Sequence, residues 1–284
     1  MPSSPPSEQS AVTVGAVGER SLATERWRSA IEYALYLEHL VEYDWVKSFC
    51  PNQRVIELGC GFGYGTRRVA EVADQVVAYD VDDELLSQLQ PFATDNLTFA
   101  MYDGDRLPLA DDAVDVAFSL HVVEHVDDPK AFLEEQRRVT RPGGAVLVGT
   151  PNGAERLLPG QRPWNPYHLR EYRPAEFVSL MQSVFPTFEV FGVFAAESIQ
   201  RLQDAKMRRR RTQALKWVSQ SMPGPMWRGS LKTMGRLRAQ FRGEADQGRP
   251  ADAYPFSAND YEIRPELDGS VGLLAVGKPE AASS

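Results

Sequence analysis

The feature that most constrains this chain is a glycine-rich turn after a short apolar run, in VIELGCGFGYGT (55–66). Gly59, Gly61 and Gly63 permit backbone conformations and a close approach of ligand that a Cβ atom would block. The dinucleotide fingerprint GxGxxG does not fit, because its sixth position holds a tyrosine or a threonine here. A phosphate-binding P-loop does not fit either, because no Lys-Ser/Thr pair follows. The turn therefore predicts a strand–turn–helix site for a different ligand.

Short β-rich runs alternate with helical stretches through the middle of the chain. Runs that are almost continuously apolar are typical of a parallel sheet that helices cover on both faces. The five runs are RVIEL (54–58), VVAYD (76–80), LTFAM (97–101), VDVAFSL (114–120) and GAVLVGT (144–150). Periodicity predicts helices over 21–49 and 174–184, a strand over 187–195 and a last strand over 271–277. RPGG (141–144) predicts a turn before the fifth run.

The run E-L-G-C-G-x-G (57–63) resembles motif I of the class I S-adenosylmethionine (SAM) methyltransferases. Glu57 precedes the turn, where a carboxylate suits the cationic end of SAM and would repel a pyrophosphate. Asp80 ends the second run, where α/β nucleotide sites place an acid for the ribose hydroxyls. Asp103 lies in YDGDRLPL (102–109), which resembles the family segment whose acid contacts the adenine amino group.

The resemblance covers about residues 50–152, including the segment that follows the fourth run, and more loosely 165–195 and 259–279. It implies an α/β, Rossmann-like sheet of seven strands, six parallel and one antiparallel. Helices would lie on both faces, with a helical insertion between strands six and seven. SAM is the implied cofactor. The predicted cofactor-binding residues are Glu57, Gly59, Cys60, Gly61, Gly63, Asp80, Val81, Asp103, Gly104 and Leu120.

Three residues after the fourth run, His121, Glu124 and His125, are the candidate catalytic residues. On a helix their spacing would place them on one face. One interpretation makes His125 a general base for an acceptor hydroxyl, because histidine titrates near neutral pH. A second resembles the ubiquinone-type O-methyltransferases, whose E-x-x-E-H can hold Mg²⁺; here His121 replaces the first acid. The third interpretation is that Glu124 and His125 only cap and pack the loop.

The loop WNPYHLREY (164–172) follows the fifth run and supplies candidate acceptor contacts. Its polar residues can bind hydroxyl groups, and its aromatic residues can stack on a sugar or another ring. The pattern N-P-aromatic-H-x-R-E resembles a branch of the family that includes methyltransferases of mycobacterial methylmannose polysaccharides. The alternative is a structural loop held by salt bridges. The candidate substrate-binding residues are Trp164, Tyr167, His168, Arg170 and Glu171.

Residues 200–245 differ from the rest in charge. They carry twelve basic and two acidic residues, a net charge of +10, whereas the whole chain has a net charge of −8. In the family's sheet the sixth strand ends at the ligand edge, so an insertion after it emerges there. We predict a basic acceptor lid that clamps an anionic group or rests on an anionic membrane surface. The alternative is a basic face that balances an acidic body. MPGPMW (222–227) is predicted to break the helix in two.

Two features of the sequence concern the location of the protein in the cell. No apolar run approaches the about 20 residues of a membrane span. Cys50 and Cys60 do not form a disulfide framework and suit a reducing compartment. We therefore expect a cytoplasmic location, with contact to the inner membrane surface as an alternative.

The predicted organisation of the chain has four parts. They are a disordered tail over 1–20, a SAM-binding core with an N-terminal helix over 21–196, the basic helical insertion over 197–258 and a strand over 259–280 that completes the core.

Together these features predict a SAM-dependent O-methyltransferase that acts on a hydroxyl of a sugar, glycan, glycolipid or natural product. An RNA methyltransferase that uses the basic segment is an alternative. The acidic overall charge and the lack of a known RNA module do not favour a nucleic-acid partner. A non-enzymatic SAM-binding protein is a third hypothesis, which the intact loop and acids do not favour. The sequence leaves the oligomeric state open.

Overall fold

The computed structural model of this chain describes residues 26–158, 160–214 and 248–279. Several sequence predictions lie outside these residues, namely the tail over 1–20, the helix break at 222–227 and most of the basic segment. The side chains of 208–214 are likewise outside the description. Within the described residues the α-helices are α1 (Ala30–Lys47), α2 (Tyr64–Ala70), α3 (Asp83–Leu89), α4 (Pro129–Val139), α5 (Gly153–Arg156), α6 (Pro174–Val184) and α7 (Glu197–Ala214).

The strands form one large sheet and one short pair. The pair joins β1 and β8 in antiparallel register. The large sheet has the order β4-β3-β2-β5-β6-β10-β7-β9. The strands are β1 (Arg26–Trp27), β2 (Arg54–Leu58), β3 (Gln75–Asp80), β4 (Leu97–Met101), β5 (Val114–Leu120), β6 (Thr140–Pro151), β7 (Thr187–Ala195), β8 (Arg249–Pro250), β9 (Tyr261–Arg264) and β10 (Gly272–Lys278).

The strand directions show at which edge of the sheet the parallel strands end. Strands β2 to β6 pair in parallel, and β10 pairs antiparallel with both β6 and β7, so β7 runs with the parallel set. This arrangement confirms the predicted sheet of six parallel strands and one antiparallel strand. The structure adds an eighth strand, β9, which pairs antiparallel with β7 at the sheet's end. The parallel strands end at one edge, where α/β folds bind their ligands.

Two apolar clusters cover the two faces of the sheet. Neighbouring residues of one strand alternate between them, because successive side chains of a strand point to opposite faces. Val55 and Phe118 pack on the side of α1 and α2, whereas Ile56 and Ala117 pack on the side of α4 and α6. Both faces are therefore covered, as the continuous apolar runs predicted. Among the described residues, no helix is long and apolar enough to cross a membrane.

Two local predictions are wrong. The sequence indicated a helix stop and a turn at RPGG (141–144): α4 does end at Val139, but 141–144 is part of β6, which begins at Thr140. The pairing of β5 with β6 shifts register between Val114 and Val116, so the glycines form an irregularity within the strand. Residues 121–127 form turns and no helix, and His121 has a left-handed backbone with φ +56. The three candidate catalytic residues therefore do not share a helix face.

Candidate functional site

The glycine-rich loop joins β2 to α2 at the ligand edge of the sheet. The backbone N–H groups of Gly59 and Cys60 donate to the carbonyl of Tyr79 on β3, at 2.7 and 3.1 Å. Gly59 has φ +80, and a Cβ atom there would lie 2.4 Å from Cγ2 of Val122. Only glycine fits this position, because a side chain would meet both backbone strain and a packed neighbour. Cys60 is buried and reduced.

Asp80 holds the loop from the neighbouring strand. Its Oδ2 accepts the backbone N–H of Gly61 at 3.0 Å, and its Oδ1 accepts that of Asp82 at 3.1 Å. The carboxylate is 5% exposed and ends β3. The predicted ribose contact of Asp80 stays a prediction. The hydrogen bonds give Asp80 a second task, because they fix the shape of the loop.

Glu57 lies beneath the loop, with 1% of its surface exposed. Its two oxygens accept the hydroxyl groups of Tyr43, at 2.6 Å, and Thr66, at 2.5 Å. Burial raises the pKa of Glu57 to about 7, and the two hydroxyl donors lower it again in part. The sequence did not point to Tyr43 or Thr66 as partners. The predicted contact between Glu57 and the cationic end of SAM stays a prediction.

Open surface at the ends of β3 and β4 fits a flat, largely apolar ligand group. Val81 and Met101 are 64% and 60% exposed, unusual values for large apolar side chains at strand ends. A Cβ atom at Gly61 or at Gly104 would meet nothing within 4 Å. Oδ1 of Asp103 accepts the backbone N–H groups of the two residues after Gly104, which shapes the turn.

The residues at this edge therefore fit SAM. The backbone of the loop and the two aspartates offer hydrogen-bonding groups, and Val81 offers an apolar surface. Gly63 has φ +65 and begins α2, and Leu120 ends β5 with 7% of its surface exposed. All ten predicted cofactor-binding residues thus lie along the carboxyl ends of β2 to β5 or in the loops that follow. Their individual contacts with SAM stay predictions.

His121 turns toward α1. Its Nε2 lies 2.7 Å from Oε2 of Glu42, and its Nδ1 lies 3.7 Å from Oε1 of Glu124. Its ring stacks on that of His39, with the centroids 4.3 Å apart. Burial opposes a charge on His121, but the two carboxylates outweigh it and hold the pKa of His121 well above its usual value. The raised pKa favours the imidazolium form of His121 between the two acids, and this form has no lone pair to act as a base.

Glu124 is fully buried behind the turn. Its Oε2 accepts the hydroxyl of Thr150 at 3.0 Å, and its Oε1 lies 3.9 Å from Nε2 of His168. Burial alone would raise the pKa of Glu124. The interaction with His121, followed by the charges of His168 and His125, lowers this pKa to about 2. Glu124 is therefore a buried carboxylate that histidines neutralise.

His125 turns the other way, toward the loop 164–172, called the acceptor loop below. Its Nδ1 lies 3.0 Å from the backbone carbonyl of Tyr167, so Nδ1 carries the proton and donates it. Its ring meets His168 edge-on at 4.7 Å. No residue in the described part of the chain forms a hydrogen bond with Nε2 of His125. This tautomer leaves a lone pair on Nε2, which is what a general base requires.

The acceptor loop is held inward more than the sequence suggested. His168 and Glu171 are each 6% exposed, and Nδ1 of His168 lies 2.9 Å from Oε1 of Glu171. Oε2 of Glu171 lies 3.1 Å from Nε of Arg156. Nε1 of Trp164 donates to the carbonyl of Arg156 at 3.3 Å. These contacts support the alternative of a salt-bridged structural loop for this part of the segment.

Two other residues of the loop keep exposed surface. Tyr167 is 41% exposed, which leaves its ring open to an acceptor. The guanidinium of Arg170 donates to the carbonyl of Asp127 at 2.9 Å, which ties the loop to the turn after β5. Acceptor binding by the five predicted residues stays a prediction, and Tyr167 is the one whose side chain is exposed.

Sequence reasoning missed a set of polar residues on α1. Glu38 and Glu42 are 4% and 0% exposed, and His39 lies beside them. The signal was present: both glutamates occupy the stripe of α1 that also buries Tyr33, Ala34 and Leu37. Acids within a buried stripe need partners or a ligand. The four histidines of the chain thus lie in one connected group with these glutamates.

Within the described ranges, two groups of side chains have the proximity of metal ligands, and neither suits Mg²⁺. They are His39 with Glu42 and His121, and Glu124 with His125 and His168. Each group offers one carboxylate and two imidazoles, whereas Mg²⁺ prefers an octahedron of oxygen atoms. His121 is also committed to Glu42 through Nε2. The predicted Mg²⁺ at His121, Glu124 and His125 therefore has no suitable donor set.

Comparisons with known proteins agree with this site. The methyltransferase domain model matches residues 56–148. The chain is 34% identical over 247 residues to a probable SAM-dependent methyltransferase of Mycolicibacterium smegmatis, covering 85% of this chain and 87% of that protein. The chain therefore belongs to the SAM-dependent methyltransferases.

Two further comparisons are more limited. A malonyl-[acyl-carrier protein] O-methyltransferase of Serratia marcescens is 35% identical over 100 residues, which are 35% of this chain and 39% of that protein. The crystal structure of a SAM-dependent methyltransferase of Thermotoga maritima superposes with a TM-score of 0.53 at 14% identity, covering 88% of this chain and 94% of that one. At this identity the structural likeness shows the fold alone.

Proposed function

We propose that this methyltransferase transfers the methyl group to a hydroxyl oxygen, with His125 as the general base. The observation that carries the proposal is the contact between Nδ1 of His125 and the carbonyl of Tyr167. It fixes the tautomer whose Nε2 can accept a proton. The turn after β5 holds this nitrogen at the sheet edge that carries the glycine-rich loop.

The chain's own residues divide the work. SAM, when bound, supplies an electrophilic methyl group. The loop after β2, Asp80 and Asp103 bind and orient it, and this positioning lowers the barrier by holding the reactants together. Nε2 of His125 takes the proton of the acceptor hydroxyl as the oxygen attacks. Glu124 stays ionised behind the turn, because its pKa is lowered to about 2.

The acceptor class is a sugar, glycan, glycolipid or natural-product hydroxyl. The exposed ring of Tyr167 next to His125 supports an acceptor with a ring or other flat group. The name of the malonyl relative places oxygen methylation among the activities of partly similar proteins. A phosphate or membrane contact through 200–245 rests on residues that lie mostly outside the described ranges.

Methyl transfer assays test this function. The full chain is incubated with SAM and with matched acceptors that present a hydroxyl, an amine or a thiol on the same carbon skeleton, and release of S-adenosylhomocysteine is measured. We expect turnover with hydroxyl acceptors and little or none with the matched amines and thiols. Turnover restricted to amines would contradict the proposal. Activity lost with chelator and restored by Mg²⁺ would favour the metal-assisted alternative, and turnover on RNA with steep salt dependence would favour the nucleic-acid alternative.

A further inference from the structure

A cleft opens between α1 and α7 on the ligand side of the sheet. Its lining residues on α1 are Ile31, Leu35 and Glu38, and those on α7 include Gln200, Gln203 and Met207. Both sets recur at three- and four-residue steps, so each helix turns one continuous face to the cleft. Val271 and Arg156 line it from the sheet and from α5. Since Gly272 of β10 pairs with Pro151, the last residue of β6, this is the carboxyl edge.

The cleft combines two kinds of side chain. Both helices contribute both kinds: Ile31, Leu35, Met207 and Val271 are apolar, whereas two amides and several charged groups are polar. A sugar ring has the same two aspects, because its C–H face is apolar and its rim carries hydroxyl groups. Binding sites for small ligands generally combine an apolar surface with a few placed polar groups.

Glu38 is the buried carboxyl group that lines the cleft. The residue is 4% exposed, and its Oε2 accepts Nε2 of Gln203 at 3.2 Å. Its Oε1 accepts no hydrogen bond from the residues that the structure describes. A Cβ atom on Gly272 would lie 3.4 Å from this oxygen and 3.2 Å from Oε1 of Glu42. Oε1 of Glu42 is also buried and lacks a partner in the described ranges.

Within the described residues, Oε1 of Glu38 and Oε1 of Glu42 thus accept no hydrogen bond, and Glu38 is the one of these two residues that lines the cleft. A ligand in the cleft that brings a hydroxyl donor to Glu38 would complete its hydrogen bonding. Burial and the neighbouring Glu42 raise the pKa of Glu38 to about 7, so near neutrality Glu38 can both accept and donate.

The charges around the cleft favour a neutral ligand. Glu38, Glu155 and Asp204 are opposed by Arg156 and Lys206. An ammonium group would meet the two basic residues, and a phosphate would meet the three acids. A hydroxyl-rich, uncharged group is repelled by neither set.

We propose that the cleft between α1 and α7 is an acceptor subsite that binds a hydroxyl-rich, uncharged ring, with Glu38 and Gln203 as its polar contacts. This inference rests on the proposed oxygen methylation. The subsite adjoins the loop 164–172, because Arg156 lines the cleft and also lies 3.1 Å from Glu171, and it would hold a non-reacting part of the acceptor. Binding energy from such remote groups is what orients the reacting group.

Saturation-transfer NMR on the full chain with S-adenosylhomocysteine tests the subsite. The probes are methyl α-D-glucopyranoside, methyl α-D-mannopyranoside and maltotriose. We expect saturation of the ring C–H protons of at least one sugar. This saturation should fall at least threefold in Glu38→Gln and in Gly272→Ala, whose Cβ atom would lie 3.4 Å from Oε1 of Glu38. Gln203→Ala is a third variant, since it removes the amide from a partly exposed position. Glu189→Gln is the matched control, because Glu189 is exposed on β7.

Circular dichroism confirms that each variant is folded. No saturation of any of the three sugars would overturn the subsite, and so would equal saturation in the variants and in the control. Binding of spermidine or inorganic phosphate that Glu38→Gln abolishes would overturn it in favour of a charged ligand. Sugar binding without methyl transfer to any hydroxyl would count against the proposed function alone. Methyl transfer that the three cleft variants leave unchanged would count against the subsite alone.

Discussion

The glycine-rich loop and the turn after β5 lie on neighbouring strands, but different parts of the chain hold them. In the loop, backbone N–H groups make most contacts, to the carbonyl of Tyr79 and to Asp80. In the turn, side chains make the contacts. His121 lies against Glu42 of α1, and His125 lies against the carbonyl of Tyr167 in the acceptor loop. The loop is therefore held by the neighbouring strand, with Asp80 19 positions from Gly61, whereas the turn is held by partners 79 and 42 positions away.

This difference predicts where substitutions act. A change in the loop is expected to alter cofactor affinity, because backbone geometry binds the ligand there. A change in the turn is expected to alter turnover or stability, because charged side chains are balanced against each other there. The predictions below separate these effects.

The largest effect is expected for His125→Ala. Loss of a general base lowers turnover by roughly 10²–10⁴-fold, and affinity for S-adenosylhomocysteine should stay unchanged, because the loop contacts do not involve His125. Turnover is measured by product release and affinity by calorimetry. Lys130→Ala is the control, since Lys130 only pairs with Glu134 at the surface. Wild-type turnover in His125→Ala would contradict the assignment, and equal losses of turnover and affinity would erase the contrast between the two regions.

The second effect concerns stability. Glu124→Gln removes the fully buried charge beside His121, so that Glu42 is left as the neighbouring carboxylate of His121. Breaking a buried ion pair typically costs about 3–5 kcal/mol, and we expect a loss of this size in the free energy of unfolding, measured with urea. Glu134→Gln is the matched control on the surface, where an ion pair contributes about 0–1 kcal/mol. Similar losses in both variants would show that the turn does not depend on its buried charges.

Cofactor affinity gives the third effect. Asp80→Ala removes the acceptor of the Gly61 N–H and the acid predicted to bind the ribose. Leaving such groups unpaired costs about 1–3 kcal/mol, so calorimetry should show a corresponding loss of affinity for S-adenosylhomocysteine. Glu84→Gln is the control, because Glu84 is exposed on the next helix. Unchanged affinity in a folded Asp80→Ala variant would remove Asp80 from the cofactor site.

The contrast also explains which parts of the molecule the sequence predicted. The boundaries of β2, β4 and β5 agree with the apolar runs, because burial on both faces leaves a local signal. The glycine-rich loop carries its function in consecutive residues. The contact of His121 with Glu42 joins residues that are 79 positions apart, and no local pattern reports it. Only the fold brings α1 to the turn.

The inward orientation of His168 and Glu171 has a similar cause. A histidine and a glutamate three residues apart suit either a ligand or an internal ion pair, and the sequence left both alternatives open. Arg156 decides between them, because it lies close to Glu171 behind the loop. The wrong turn at 141–144 came from reading Pro and Gly as a break, whereas the pairing of β6 with β5 continues around the irregularity.

The smallest expected effect is a pH dependence that is specific to Glu124. The histidines lower the pKa of this buried carboxyl to about 2, below the value of about 4.3 that an unfolded glutamate has. A lowered pKa in the folded state contributes stability above the unfolded value, and this contribution is lost as the pH falls toward the folded value. Between pH 7 and pH 4 the loss is about 0.6 kcal/mol. We therefore expect the stability difference between the wild type and Glu124→Gln to shrink by about that amount, measured by urea unfolding at both pH values. Glu134→Gln should show no such change, since its carboxylate is exposed. A difference that grows on acidification would mean that Glu124 is protonated in the folded protein, and the turn after β5 would then lack the charge balance that distinguishes it from the loop.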